Sequence, residues 1–420
     1  MNAEIICIGD ELLIGQVINT NAARIAERLN LSGVKVAYSS VLPDDETAIL
    51  EALHAADVRS DLIIITGGLG PTKDDITKKT LCDFFQSKLI LNETVLSDVV
   101  EIFARKGRVL TDINKKQAEV PENCDVIRNF NGTAPGMWFN KNGKIFVSIP
   151  GVPYEAMAMV ENYIIPKIKA EYKLPAIFHM TVHTQGIGES YLAEILEDWE
   201  NSLSVEGIKL AYLPAPGIVR LRLSGYGENF SDVKEKVIKK RDQLLPLITE
   251  YFVAIEEYGE KQPLIQELLG EALRNNGKKI ALAESCTGGY MAHLITSIPG
   301  SSAYFNGCIV PYQNEFKQQL LGVHGEVFSS SGAVSEDCVK QMAKSTIIKF
   351  NVDYSIAVSG IAGPSGGTKE KPVGTVWIAW ANKNDVVAER FVFSHDRGRN
   401  IHITAITALE KLRKLILSGF

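Results

Sequence analysis

The sequence is poor in the features that mark several large protein classes. No apolar run approaches the roughly 20 residues needed to span a bilayer, and the opening MNAEIICIGDE has no basic stretch ahead of an apolar core. A cytoplasmic protein without membrane association is therefore expected. Basic residues do not dominate: 44 Lys and Arg against 50 Asp and Glu leave a formal net charge of -6. That balance argues against a general nucleic-acid binder and leaves small molecules as the expected partners. Six cysteines (Cys7, Cys82, Cys124, Cys286, Cys308, Cys338) are scattered without CxxC spacing. They suggest neither a disulfide framework nor a thiolate zinc site, and buried thiols are the default. Low-complexity tracts and short-period repeats are missing too.

What is present is a 420-residue chain that is 45% hydrophobic, enough for large cores in two or three domains. From residue 1 to about 170, β-branched runs (EIICIG, VKVAYSS, DLIIITGG) alternate with helical patterns (TNAARIAERLN, DETAILEALHAA). This alternation predicts an α/β domain with a parallel sheet covered on both faces. From about 174 to 256 the order strand, helix, two strands, helix, strand predicts a small α+β module. From about 262 a second α/β pattern runs through KKIALA, DYSIAVSG and GTVWIAWA to a long terminal helix. The polar, Gly- and Pro-containing EEYGEKQPL reads as a linker. Two α/β domains with separate Gly-rich loops imply two sites.

TGGLGPTKDD follows the strand DLIII. In open α/β sheets ligands bind beyond the carboxyl ends of strands, and a helix beginning after Pro71 would direct free N–H groups at an anion. Gly67, Gly68 and Gly70 allow the backbone to approach a phosphate. Asp74 and Asp75 oppose that charge unless a divalent cation bridges carboxylate and phosphate. The plainer reading makes them first-turn residues, worth about 0.3–1 kcal/mol each through the helix dipole. Asp10, Asn19 and Asn21 come from another predicted strand end and are expected in the same crevice, joined by Asn114, Lys115 and Gln117 from NKKQAEVP.

IGDELLIGQVINTN, TGGLGPTKDD, NKKQAEVP, NGTAPG and IPGVPYE together resemble the amino-terminal domain of the competence/damage-inducible CinA family. The resemblance implies a molybdopterin-binding-like fold over residues 1–172. It also implies metal-dependent hydrolysis of ADP-ribose to AMP and ribose 5-phosphate. Asp74 and Asp75 would then hold the metal or position its water, and the Gly67–Gly70 backbone would hold the diphosphate. The middle module, 173–257, resembles the KH-like module of the same family. It has no GxxG, the loop with which a KH domain clamps RNA, so a structural or dimerisation role is expected. In GIGES, residues 186–190, Glu189 reads equally as a cap partner or a ligand. His179 and His183 sit four apart on a strand, which does not give helical metal-ligand geometry.

AESCTGG, residues 283–289, sets Ser285, Cys286 and Thr287 side by side between a strand and a helix. Taken alone, a Ser or Thr there is most often an N-cap. Other segments add a proton acceptor and anchors: Tyr312 and Lys317 in NGCIVPYQNEFK, the turns of SGIAGPSGG, and Arg397 and Arg399 in SHDRGR. A deamidating site needs these types: nucleophile, base, oxyanion donors and substrate anchor. Lys317 accepts a proton only when neutral, which requires its pKa to fall well below the ordinary value near ~10.4. A rival reading makes Cys286 the nucleophile with His293, His324, His395 or His402 as base.

AESCTGG, GSSAYFNGCIVPYQNEFK, GAVSE, SGIAGPSGG and EKPVGTVW resemble, in family order, the CinA carboxyl-terminal domain, here 258–420. The resemblance implies a nicotinamide-nucleotide amidohydrolase that converts nicotinamide mononucleotide to nicotinate mononucleotide and ammonia without a cofactor. It makes Ser285 the nucleophile and Tyr312 and Lys317 its proton-transfer partners. Thr287, Gly288, Gly360, Ala362 and Gly363 would shape the pocket. One departure is Pro311, where family members commonly carry a small polar residue such as Thr. A homodimer is also implied. The competing reading is a nucleotide- or molybdopterin-binding protein with one or both sites catalytically weak.

Overall fold

A computed structural model describes residues 1–72, 75–105, 107–257, 259–393 and 396–420. By internal contacts the chain forms two compact units, residues 1–179 with 224–237, and 180–223 with 238–420. Among the described residues no helix is long and apolar enough to cross a membrane.

The first unit is organised by a six-stranded sheet. Its strands are β1 (Asn2–Ile8), β2 (Lys35–Leu42), β3 (Leu62–Thr66), β6 (Asp125–Ile127), β7 (Gly136–Lys141) and β8 (Lys144–Ile149). Two short strands, β4 (Leu89–Leu91) and β5 (Glu119–Pro121), pair separately. The sheet order is β2-β1-β3-β8-β7-β6. The first four strands in that order are parallel, as the alternating pattern predicts, but β7 runs against them, pairing antiparallel with β8 and with β6. The reason is local: Asn142 and Gly143 join β7 to β8 with positive φ angles of 52° and 77°, a tight hairpin that returns the chain at once.

Strand side chains alternate between faces. Ile5, Cys7, Leu62 and Ile64 enter a core with Ile25 and Leu29 of helix Thr20–Leu31. Their neighbours Ile6, Ile8, Ile63 and Ile65 enter another core with Ile49 and Leu53 of helix Glu46–Arg59. A continuous apolar strand is therefore what a sheet covered on both faces requires.

The middle module's strands are β9 (Ala176–Gln185), β10 (Ile208–Ala215), β11 (Ile218–Gly227) and β12 (Phe252–Glu257). They form a sheet of order β10-β11-β9-β12.

The second unit also holds a five-stranded sheet of order β14-β13-β15-β16-β17. These strands are β13 (Ile280–Glu284), β14 (Phe305–Ile309), β15 (Tyr354–Gly360), β16 (Thr375–Asn382) and β17 (Val386–Val392). The first three are parallel, and β15, β16 and β17 are antiparallel. Large and small residues alternate. Leu282, Ile356, Val358, Ile378 and Trp380 face helices Ile265–Asn275 and Arg397–Leu417. Ala283, Ala357, Ala379 and Ala381 face helix Glu336–Phe350. The alanine face lets that helix lie close to the sheet, and the bulky face fills the space under two helices.

Ile64 is fully buried on β3, between β1 and β8. Ile64→Ala is expected to lower stability by about 2–5 kcal/mol. Val58→Thr, at a position 85% exposed, should change it by less than about 0.5 kcal/mol. Urea unfolding followed by circular dichroism checks both.

Candidate functional site

Three parallel strands of the second unit end in one crevice. β13 leads into Ser285, β14 into the loop carrying Tyr312, and β15 into the Gly360–Gly363 turn. A pocket of about 210 Å³ there is lined by Ser285, Tyr312, Lys317, Gly360, Ala362 and Arg397, among others. Residues predicted from four separated motifs thus meet in space.

Ser285 does not cap the following helix. Its backbone N–H continues the strand ladder to the Val358 carbonyl at 3.1 Å, and helix Tyr290–Thr296 starts five residues later with no cap from its own N-cap residue, Gly289. The capping group is Glu284, which the sequence reading passed over. Its fully buried carboxylate accepts from the N–H groups of Gly289 (3.0 Å), Met291 (3.1 Å) and Ala292 (2.8 Å). Such charge-assisted bonds satisfy donors that a helix start otherwise leaves open. They tie the far end of the SCTGG turn to the strand end from which it departs. Gly288 and Gly289, with φ of 62° and 97°, supply the left-handed backbone the turn needs. A carboxylate at the end of an apolar strand and just ahead of a double glycine was the available signal.

Lys317 comes from helix Asn314–Leu321 and is 1% exposed. Its Nζ donates to the carbonyls of Pro311 (2.9 Å) and Tyr312 (3.2 Å). Burial pulls its pKa below the ordinary lysine value. Pro311 lacks an N–H, yet its carbonyl serves as a Lys317 partner. The Tyr312 hydroxyl accepts from Arg397 Nη2 at 3.0 Å, while Arg397 Nη1 donates to the Gly363 carbonyl at 2.8 Å. Asn400, also missed, donates to the Ala362 carbonyl at 3.0 Å. The start of helix Arg397–Leu417 thereby holds the Gly-rich turn. Arg399 is exposed and does not line the pocket; its backbone N–H bonds Asp396. Thr287 is buried with its hydroxyl unpartnered, outside the pocket lining.

Cys286 also lines the pocket, but burial pushes its thiol up to about 12, so it is a neutral thiol near pH 7. His293, His324 and His402 are absent from the lining, and His395 lies outside the described residues. His402 instead pairs with the Tyr290 hydroxyl at 3.1 Å. The cysteine–histidine reading finds no histidine lining the pocket with the thiol among the described residues.

In the first unit, a pocket of about 530 Å³ opens beyond the ends of β1, β3 and β8. Gly67, Gly68, Gly70, Asp75 and Gln117 line it, joined by Glu11, Asp44 and Glu155, which the sequence reading missed. Gly67 has φ 115°, and any Cβ there would collide with the Ile8 carbonyl. The expected helix after Pro71 starts later, at Thr77, so Asp75 is not a first-turn residue. It instead accepts from the Thr72 N–H at 3.0 Å and from the Thr72 hydroxyl, closing the turn. Asp74 lies outside the described residues. Asp44 is pushed above the ordinary carboxyl range by burial and by the charges of Asp10, Glu11 and Asp75.

Gln117 bridges two loops: Nε2 donates to the Leu69 carbonyl (3.3 Å) and Oε1 accepts from Thr133 (2.9 Å). Lys78 steadies that segment through the Gln117 and Glu119 carbonyls, with its pKa lowered by burial to about 8. Asn19 and Asn21 line a smaller adjoining pocket of about 100 Å³. Asn19 caps helix Thr20–Leu31, and Asn21 Nδ2 bonds Thr66 and Gly151. Asp10 itself lines neither pocket; its backbone N–H bonds Asp44 at 3.2 Å. Asn114 and Lys115 are not brought to the crevice. Asn114 closes a capping box with Thr111, and Lys115 pairs with Asp112 on the surface.

Among the described residues no three His, Cys, Asp or Glu side chains converge as a metal cage. The oxygen donors facing the pocket suit a hard cation whose shell is completed by water and a ligand's phosphate, the usual manner of magnesium. In the middle module His183 Nε2 pairs with Glu256 at 2.7 Å, and His179 with Ser224 at 2.8 Å.

Fold and site define a three-part α/β protein with a molybdopterin-binding-like first domain, and family models match it part by part. Residues 4–170 match a probable molybdopterin binding domain, 179–254 the damage-inducible protein CinA KH domain, and 263–416 the CinA C-terminal domain. A CinA-like protein of Cytophaga hutchinsonii is 45% identical over 98% of this chain and 97% of its own length. One from Flavobacterium psychrophilum is 44% identical over the full length of both chains. A putative competence-damage inducible protein of Caldicellulosiruptor saccharolyticus is 39% identical, again over both full lengths. The chain belongs to the CinA-like family.

Glu284→Ala would strand three N–H groups beside the nucleophile candidates. It is expected to destabilise the second unit by about 3 kcal/mol. Glu284→Gln, which keeps one acceptor oxygen, should fall between it and wild type. Chemical denaturation of the three proteins checks the order.

Proposed function

We propose that the chain is a bifunctional nucleotide hydrolase of pyridine-nucleotide recycling. Its second unit would deamidate nicotinamide mononucleotide, and its first would hydrolyse ADP-ribose. The observation that carries the reading is the gathering of Ser285, Tyr312, Lys317 and Arg397 in one pocket, with Lys317 buried.

In this reading Ser285 Oγ attacks the carboxamide carbon and its proton passes to neutral Lys317, with the Tyr312 hydroxyl within the same pocket as a relay. The tetrahedral oxyanion is met by N–H groups of the turn after β13. Collapse breaks the carbon–nitrogen bond while the lysine proton goes to the departing amine, which leaves as ammonia. Water then attacks the acyl-serine by the same proton route, releasing nicotinate mononucleotide and restoring Ser285. Arg397 anchors the substrate while holding Tyr312.

In the first unit the Gly67–Gly70 backbone and Gln117 would cradle the diphosphate of ADP-ribose. Asp75, with Asp74, would hold a divalent cation, which when bound offsets phosphate charge and acidifies water. Asp44 and Glu11 would accept hydrogen bonds from ribose hydroxyls and orient the ligand. A second reading, binding of a nucleotide or molybdopterin without turnover in the first unit, is favoured by the lack, among the described residues, of three converging metal-binding side chains.

Ser285→Ala is expected to abolish ammonia release from nicotinamide mononucleotide, whereas Cys286→Ala should retain it; turnover by the serine variant would refute the mechanism. Because Lys317 acts only when deprotonated and burial lowers its pKa from 10.5, the rate should rise with pH. It should reach its plateau below the pH at which a solvated lysine titrates. Lys317→Arg, which stays charged, should lose the activity at every pH.

With ADP-ribose and magnesium, wild type should release AMP and Asp75→Ala should not. Equal release by both would remove Asp75 from the chemistry. Tight ADP-ribose binding without AMP from wild type would support the second reading.

A further inference from the structure

The second unit holds a further recess, apart from the pocket at Ser285. A groove of about 860 Å³ runs between the end of β9, the β10–β11 turn, β17 and helix Arg397–Leu417. It lies within the size range of small-molecule sites. Its apolar wall carries Phe391 and Phe393, whose rings lie parallel, 10° apart in plane and 5.6 Å between centroids. Ile218, Ile403 and Leu415 extend that wall.

Two hydrogen-bonding features face this wall. Gln185 lines the groove, is 7% exposed, and has an amide Nε2 with no partner. A buried amide nitrogen left unpaired is destabilising, a cost that an occupant with an acceptor atom removes. Beside it, GIGES places the start of helix Glu189–Asn201 on the groove. Gly188 is its N-cap and no side chain caps it, so its first N–H groups remain available.

The groove lining carries four carboxylates, Glu189, Glu250, Glu389 and Glu410, against two ammonium groups, Lys411 and Lys414. Lys411 pairs with Glu389 at 2.8 Å, Glu410 is bound twice by Arg413, and Lys414 donates to the Glu250 carbonyl at 2.7 Å. Nothing here selects for a phosphate.

We infer that this groove binds a nucleoside through its base, at a site separate from both proposed catalytic pockets. The planar ring stacks on Phe391 and Phe393, a carbonyl or ring nitrogen accepts from Gln185, and ribose oxygens accept from the Gly188–Tyr191 N–H groups. Any phosphate projects from the mouth into water. Stacking on aromatic side chains supplies affinity for a base of any identity, and the amide supplies direction.

Photolabelling of the full chain with 8-azidoadenosine, followed by peptide mapping, tests this. Label is expected on peptides containing Gln185–Tyr191 or Glu389–Phe393, with adenosine and AMP competing about equally. Gln185→Leu should cut that labelling about tenfold, as loss of one such hydrogen bond implies. Its melting temperature should be unchanged or higher, because the unpaired amide is gone. If Gln185→Leu fails to fold, Phe393→Leu, which keeps apolar volume but removes the ring, should show the same loss. Label confined to the Gly67–Asp75 or Ser285–Lys317 peptides, no label, or undiminished groove label in a folded variant would each overturn the inference. So would AMP competing at least tenfold better than adenosine. None of these outcomes depends on either proposed hydrolysis, so failure here and failure there are distinguishable.

Discussion

The second unit's site rests on one buried carboxylate. Glu284 closes the strand that delivers Ser285 and binds three N–H groups of the turn and helix that follow. Without those bonds, residues 285–289 would be a glycine-containing loop free to sample many backbone states, at about 1–2 kcal/mol of entropy per residue to fix. With them, the loop is stitched at one end to β15 through the Ser285 N–H and at the other to Glu284. The direction of the Ser285 side chain is set by backbone geometry at both ends.

The same device, side chains holding backbone carbonyls and N–H groups, recurs around both pockets. Lys317 binds the two carbonyls ahead of its own helix, while Arg397 and Asn400 bind successive carbonyls of the Gly-rich turn. In the first unit Gln117 joins the Gly-rich loop to the NGTAPG turn, and Lys78 fixes the backbone on which Gln117 sits. Short loops on rigid strand ends are thereby made rigid without large cores of their own. Side chains that bind backbone in this way keep a pocket open while empty, which lowers the ordering cost of binding.

How much of this was legible depended on whether the signal was periodic or relational. Ile5, Ile6, Ile63 and Ile64 announced a strand buried on both faces because alternate residues must all be apolar there. The antiparallel run of β7 was not legible as such, since its direction is set by the two-residue turn at Asn142 and Gly143 and not by the strand itself. Ser285, Tyr312, Lys317 and Arg397 were found as motif members. Asn400 was not, because its partner is a backbone carbonyl and leaves no residue-type trace, and Glu284 was marked only by its place between an apolar strand and a double glycine. Asn114 and Lys115 failed for the opposite reason: their residue types suited a ligand, yet they were satisfied locally by Thr111 and Asp112. The delayed helix after Pro71 shows the same limit. Proline marks where a helix is permitted to begin, and here Asp75 is held by the Thr72 N–H ahead of a helix that starts only at Thr77.

The three adjacent hydroxyl and thiol residues of AESCTGG are separated by what burial does to each. A thiol must ionise to attack, and burial pushes Cys286 to about 12, so the enclosure that shields the pocket disables it. Thr287 is enclosed with no partner for its hydroxyl and lies off the pocket wall. Serine is different, because it enters the reaction as a neutral hydroxyl and sheds its proton only as the new bond forms. Burial therefore costs Ser285 little in the resting state. The same burial lowers the pKa of Lys317, the residue whose neutral form can accept that proton. In the proposed deamidation one low-dielectric pocket would suppress the cysteine and prepare the lysine, so a serine–lysine pairing is the chemistry such an environment would favour.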